Sequence, residues 1–377
     1  MRKQFVVLFS VVLAFALFAA ACGDDDDGGT ATTEATETTA ATETTTATET
    51  TEATTDTTEA TTDGSDVNVG LVFDIGGRGD QSFNDSAAAG LDGAAADIGV
   101  NASEASANND GSNREELLNL QADESDLVFG IGFLFAEPMT NAATANPDVN
   151  FAIVDDGSID LPNVAGLTFA EHEGSFLVGA AAALKTESNK VGFIGGVNIE
   201  LIQRFEAGFV AGVHHINPDI EIDIQYLTEP PDFTGFTDPA AGKVVAQSMF
   251  EGGADIVYHA AGGSGSGLFQ AAKEYSEAND TKVWAIGVDS DQYNLPALAD
   301  VREYILTSML KRVDVAVYNT IEAQVAGSFT PGLNVFDLSV DGVGYATSGG
   351  FIDDITDQLE DLKQQIIDGA ISVPDTP

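Results

Sequence analysis

Cysteine is almost missing: Cys22 is the single one in 377 residues, so no disulfide can close within the chain. Basic residues are scarce as well. Lys and Arg total 14 against 61 Asp and Glu, a formal net charge of −47 at pH 7. A surface of that sign repels nucleic acid and anionic lipid head groups, which excludes nucleic acid as a partner class. No His-Glu-x-x-His, no Gly-x-Ser-x-Gly and no cysteine placed as a nucleophile occurs, so the signals for an enzyme are thin. The four histidines are scattered apart from His214-His215 beside Asn217-Pro218, a solvent-exposed helix end rather than a metal site. Neither a metal nor a cofactor is expected. Beyond the N-terminus no apolar run is long enough to cross a membrane, and the remaining domain is expected to be soluble.

What is present begins with Arg2 and Lys3, an apolar run over residues 5–18, and then Ala19-Ala20-Ala21-Cys22. A run of that length falls short of the roughly 20 residues a spanning helix needs, and small residues precede the cysteine. Residues 1–22 resemble a bacterial lipoprotein signal, which implies cleavage before Cys22, a lipid on its thiol and an extracytoplasmic, membrane-anchored protein. Ordinary secretion with a free thiol is the other reading. Residues 23–66 then hold little but Thr, Ala, Glu, Asp and Gly, opening on Asp24-Asp25-Asp26-Asp27. With nothing to bury, such a segment is expected to be a disordered, self-repelling tether with a maximum reach of ~150 Å. It carries 13 of the 61 acids, so 48 acids face 12 Lys and Arg after residue 3. The charge therefore belongs mostly to the folded part.

From residue 67 strands alternate with helices. Segments 67–73, 127–131, 150–154, 164–169, 190–194, 220–226, 256–259 and 282–288 read as strands, and 84–98, 174–185, 268–276, 310–325 and 353–367 as helices, with further strand material over 337–345. Apolar strands without alternation imply parallel sheets covered on both faces, hence a doubly wound α/β architecture. About 310 residues exceed what one core usually holds, so two lobes are expected. We place lobe 1 at 67–170 with a return segment at about 305–328, and lobe 2 at 171–304 with about 329–377.

Ligands of open α/β sheets bind beyond the carboxyl ends of the strands. The residues there are consistent in kind: Asp74, then Gly76-Gly77-Arg78-Gly79-Asp80-Gln81-Ser82-Phe83-Asn84; Asp155-Asp156; and Asp289. Carboxylates accept from hydroxyl or ring N–H groups and aromatic rings stack on flat faces, so a neutral polyhydroxy or heteroaromatic ligand fits, and a phosphate would be repelled. Gly262-Gly263-Ser264-Gly265-Ser266-Gly267 follows a strand and opens a helix, like a dinucleotide turn, but its spacing is not Gly-x-Gly-x-x-Gly. The same turn lets backbone N–H groups approach an uncharged sugar. Arg78-Gly79-Asp80 matches an adhesion tripeptide, a match three residues reach often by chance.

Val69-Gly70-Leu71-Val72-Phe73-Asp74 with the run to Asn84 resembles the opening of the basic membrane protein family, the purine nucleoside receptor-like lipoproteins. Segments 129–138, 151–155, 191–196, 205–209, 260–263, 286–289 and 307–311 resemble further family blocks in the family's order, covering nearly all of residues 67–350. The resemblance implies a type I periplasmic-binding-protein fold, two doubly wound parallel-sheet lobes joined by a hinge. It implies a monomeric solute-binding protein that feeds a nucleoside to an ABC permease and its ATPase and performs no chemistry. It also implies roles: Phe83 and Phe205 sandwich the base, Asp74, Asn84 and Asp155 or Asp156 meet its polar edge, and Gly262, Asp289 and Lys311 face the ribose. Alternatives are a receptor of the same fold for a sugar or another small metabolite, a sensor or surface-interaction protein, and a nicotinamide-dependent enzyme built on the Gly262–Gly267 turn.

Overall fold

The computed structural model describes residues 63–377; Cys22, the signal segment and most of the acidic tether lie outside the described residues. The chain runs β1 (Asn68–Phe73), α1 (Phe83–Asp97), β2 (Asn101–Ser106), α2 (Arg114–Ala122), β3 (Leu127–Ile131), α3 (Ala136–Ala145), β4 (Asn150–Val154) and β5 (Val164–Phe169). It continues with α4 (Glu171–Lys185), β6 (Lys190–Val197), α5 (Glu200–Ile216), β7 (Glu221–Thr228), α6 (Pro239–Glu251), β8 (Ile256–Ala260), α7 (Ser266–Asn279), β9 (Trp284–Asp289) and β10 (Ile305–Lys311). It closes with α8 (Val313–Val325), β11 (Gly332–Phe336), β12 (Val343–Tyr345) and α9 (Thr356–Ile367).

These strands form two six-stranded sheets, ordered β11-β5-β4-β3-β1-β2 and β12-β10-β9-β8-β6-β7. All pairings are parallel except β10 with β12. Strands β1, β3, β4 and β8 are buried along nearly their whole length, as expected of parallel strands with helices on both faces. The fold is α/β with two doubly wound lobes.

Two features depart from the sequence reading. The return segment expected at about 305–328 lies later: residues 305–311 form β10 inside the second sheet, whereas α8 packs on α1 and β11 completes the edge of the first. Ile305-Leu306-Thr307-Ser308-Met309-Leu310-Lys311 reads equally as the start of an apolar helix, and only the vacancy between β9 and β12 decides for a strand. Strand β2 has the sequence Asn-Ala-Ser-Glu-Ala-Ser and is largely exposed at a sheet edge, so no apolar run announced it. The chain therefore passes between lobes three times, between β5 and α4, between β10 and α8, and between β11 and β12.

Helices α4 and α5 of the second lobe approach each other closely at glycine. A methyl group on Gly212 would stand 2.0 Å from the Phe176 carbonyl oxygen and 3.0 Å from the Ala180 nitrogen, both main-chain atoms that cannot swing aside. On α1, a methyl at Gly93 would meet nothing nearer than the Tyr318 ring at 3.5 Å. Gly212→Ala is therefore expected to lower stability by about 1–3 kcal/mol through overpacking, whereas Gly93→Ala raises it by about 0.5–1 kcal/mol through helix propensity. Urea unfolding of the two variants checks the contrast; equal effects would refute the close packing of α4 on α5.

Candidate functional site

Parallel strands of both sheets end at one cavity. Asp74 and Ile75 follow β1, Gly132 follows β3, Asp155 follows β4, Ala260 ends β8 with Gly262 and Gly263 just beyond, Asp289 ends β9 and Lys311 ends β10. The cavity and the open space at its mouth together hold about 760 Å³. Phe83 and Asn84 open α1 on one side, while Leu201, Ile202 and Phe205 of α5 face them from the other lobe.

Lys311 lies at the centre. Its ammonium is 2% exposed and stands 2.6 Å from Asp155 Oδ1 and 3.2 Å from Glu171 Oε1. It also lies 5.2 Å from the centre of the Phe83 ring, 5.0 Å from Phe169 and 5.6 Å from Phe205, close enough for attraction to the ring faces. Burial by itself would depress the Lys311 pKa, but Asp155, Glu171 and Asp289 outweigh it and hold the ammonium above the usual lysine range. Glu171 is 1% exposed, and its carboxyl is pushed up by burial, against the pull of Lys311.

Asp289 is buried at the far side of the cluster. Burial raises its pKa to about 7, with Lys311 and a hydrogen bond from the Ser82 hydroxyl opposing the rise. Asp155 and Asp289 share a backbone device: both sit at strand ends with positive φ, 68° and 66°, in the left-handed region that Asp tolerates better than most residues. Each turn occurs where its strand stops at the cleft.

On the opposite wall Arg114 holds Asp74. Its Nε and Nη2 both donate to Asp74 Oδ1, at 3.0 and 2.5 Å, and the Ile75 N–H donates to the same oxygen at 2.8 Å. Burial raises the Asp74 pKa, and the guanidinium works against it. Asp80 accepts from the main-chain N–H groups of Ser82, Asn84 and Asp85 at 2.8 to 3.0 Å, which caps the start of α1 and fixes Phe83 and Asn84 in place. Because Asp80 is spent in this way, the Arg78-Gly79-Asp80 triplet is not presented as an adhesion motif; Arg78 is bound to Asp92 and Glu104.

The lobes touch across the cavity. Ser82 donates to Asp289, the Gln292 amide donates to the Gln81 carbonyl at 2.8 Å, and Asp155 pairs with Lys311. Phe133 and Phe233 meet at the rim with ring centres 6.0 Å apart.

Of the residues singled out from sequence, Asp74, Phe83, Asn84, Asp155, Phe205, Gly262, Asp289 and Lys311 line this cavity together. Asp156 does not: its carboxylate folds back to accept from the Ser158 N–H and hydroxyl at 2.8 and 2.7 Å. The turn at Gly262 lies against the cavity as a tight one-turn helix, Gly262–Gly265. Sequence reasoning missed Glu171, Asp80, Arg114, Phe133, Phe236 and the apolar pair Leu201-Ile202. Glu171 resembles any acid in the first turn of a helix, and Arg114 any surface arginine; only the capping position of Asp80 was readable, from its spacing before α1.

The family of ABC transporter substrate-binding proteins described as Bmp, PnrA-like, matches residues 67–377. The chain is 34% identical to the CD4+ T-cell-stimulating antigen of Listeria innocua serovar 6a over 100% of its own length and 99% of the relative's. It is 32% identical to the ABC transporter nucleoside-binding protein BmpA of Lactococcus lactis subsp. cremoris, with 99% of each covered. Among solved structures, an ABC transporter solute-binding protein of Aeropyrum pernix K1 superposes with a TM-score of 0.71 at 31% identity, covering 82% of this chain and 94% of that one.

Two outcomes are expected from the charge cluster. Lys311→Met strands buried Glu171 and Asp155 without their cation and should cost about 3–5 kcal/mol at pH 7, a deficit that shrinks as the pH falls and Glu171, whose carboxyl burial already pushes up, takes up a proton. Asp289 behaves in the opposite sense in the wild type. Its folded pKa lies above the unfolded value, so its contribution to stability is full below about pH 4 and is lost as the pH rises through 7. Asp289→Asn should therefore gain on the wild type between pH 4.5 and 8, measured by urea unfolding; a difference independent of pH would refute the burial of that carboxyl.

This chain belongs to the Bmp family of ABC transporter substrate-binding proteins, which bind a small molecule and present it to a transporter rather than transform it.

Proposed function

We propose that this protein is a lipid-anchored receptor that binds a nucleoside, a purine nucleoside by preference, between its two lobes and delivers it to an ABC permease. The observation that carries the reading is that Phe83 and Phe205, one from each lobe, line one cavity whose other walls combine the carboxylates of Asp74, Asp155 and Asp289, glycine backbone and apolar side chains such as Leu201 and Ile202. A flat heteroaromatic ring suits the aromatic pair, and hydroxyls suit Asp155, Asp289 and the N–H groups near Gly262. The name of the Lactococcus relative, a nucleoside-binding protein, supports the same ligand class.

Closure is the working step. Ligand contacts to Phe83, Asp74 and Asn84 on one lobe and to Phe205, Asp289 and Lys311 on the other favour the arrangement in which the lobes touch. The permease recognises that closed surface. The anchoring part of the reading is supported by the N-terminal residues: small residues Ala19-Ala20-Ala21 before the single cysteine fit a lipid on Cys22, with the domain outside the cytoplasm at the end of the acidic tether.

Isothermal titration of the full mature chain, unfolded and refolded to remove carried ligand, against nucleosides with ribose as control tests this directly. Saturable nucleoside binding without ribose binding is expected; ribose binding alone would replace the reading with a sugar receptor. Loss of the stacking face in Phe83→Ala should weaken nucleoside binding about 5- to 150-fold, and an unchanged affinity would displace the base from this slot.

A further inference from the structure

The wall of the cavity formed by β1 and the start of α1 has an unusual hydrogen-bonding polarity. Asn84 is 3% exposed. Its amide nitrogen donates to Asp80 Oδ2 at 3.1 Å and to the Ile75 carbonyl at 3.4 Å, both of them acceptors without a proton to give. Rotating the amide would set its oxygen against two other oxygens, so the orientation is determined by its partners. The Asn84 Oδ1 is left buried with no partner among the described residues. Its neighbour in the cavity wall, Asp74, has all three of its donors, two from Arg114 and one from the Ile75 N–H, on Oδ1; its Oδ2 accepts nothing among the described residues. Asp80 has both oxygens filled by Ser82, Asn84 and Asp85.

The side chains of this wall thus offer two open acceptors, Asn84 Oδ1 and Asp74 Oδ2, while the donors beside them, the Asn84 amide and the Arg114 guanidinium, are directed elsewhere. A buried acceptor stays costly until a donor reaches it. We infer that this wall selects the ring edge with adjacent N–H donors, so that the site prefers guanosine, then inosine, then adenosine. Guanine offers N1–H and the exocyclic amine side by side. Hypoxanthine keeps only N1–H. Adenine offers its amine but places the bare N1 lone pair against an acceptor. Asp80 is the positioning residue: by occupying the Asn84 amide nitrogen it keeps the carbonyl turned to the ligand.

The inference rests on the nucleoside reading above, and calorimetry of the mature wild-type chain with guanosine, inosine and adenosine separates the two. Guanosine is expected to bind roughly 10- to 100-fold more tightly than adenosine, the span that one mismatched buried hydrogen bond produces, with inosine between them. Adenosine binding as tightly as guanosine would overturn the selectivity and leave nucleoside binding standing; no heat from any nucleoside would overturn both. In Asp80→Asn the Asn84 amide is free to turn its nitrogen to the ligand, so the guanosine-to-adenosine ratio should fall toward one. Phe83→Ala serves as the comparison, because loss of stacking weakens both ligands and leaves the ratio in place. A ratio unchanged in Asp80→Asn would remove Asp80 from the explanation and, with it, the assigned orientation of Asn84.

Discussion

A buried ammonium cannot stand alone, and much of the cleft follows from where Lys311 is put. Carrying one positive charge out of water costs several kcal/mol unless opposite charges surround it, and here the compensation comes from three elements: Asp155 at the end of β4, Glu171 at the head of α4 and Asp289 at the end of β9. Asp155 belongs to the first sheet and Lys311 to the second, so the pair also ties the lobes together. The three aromatic faces around the same nitrogen exclude water from the cluster while still attracting its charge.

That arrangement restricts what else can enter. Lys311 is already shared among carboxylates, so the cluster has no positive charge to spare for a phosphate, and an anionic ligand would face the Asp74, Asp155 and Asp289 oxygens. Asp289 shows the balance most clearly. Its pKa near 7 means that one cation does not fully support three buried acids, so a neutral ligand whose hydroxyls donate to it completes the site where an anion would worsen it. The formal excess of acid over base in the sequence thus extends into the cavity itself.

How much of this could be read from the sequence depends on whether a residue's role is local. The buried strands were legible because a parallel strand is apolar along its whole length: 127–131, 150–154 and 164–169 have the bounds expected. The acids and glycines after them were legible because the carboxyl ends of such strands face the ligand wherever the fold occurs. Two strands were not. Strand β2 buries little and so carries no apolar signature, and β10 shares its composition with a helix, so its place depended on neighbours far along the chain. Glu171 and Arg114 were hidden for the same reason, since each acts through a partner at distant sequence positions, Lys311 and Asp74. Asp156 was the converse case: proximity in sequence to Asp155 suggested a shared role, but reversal of direction at the positive φ of Asp155 sends the next side chain into a local turn with Ser158.

The two lobes use one solution twice and then break its symmetry. Each sheet ends a central strand with an aspartate in the left-handed region, Asp155 in one and Asp289 in the other, and each contributes one phenylalanine from the first half of a helix. Lys311 has no counterpart. It arrives on β10, immediately before the chain returns to the first lobe at α8, so the residue that binds the carboxylates of both lobes is also adjacent to a crossing segment. A change in the charge of the cluster therefore acts both on the ion pair that joins the lobes and on the strand that leads into their connection.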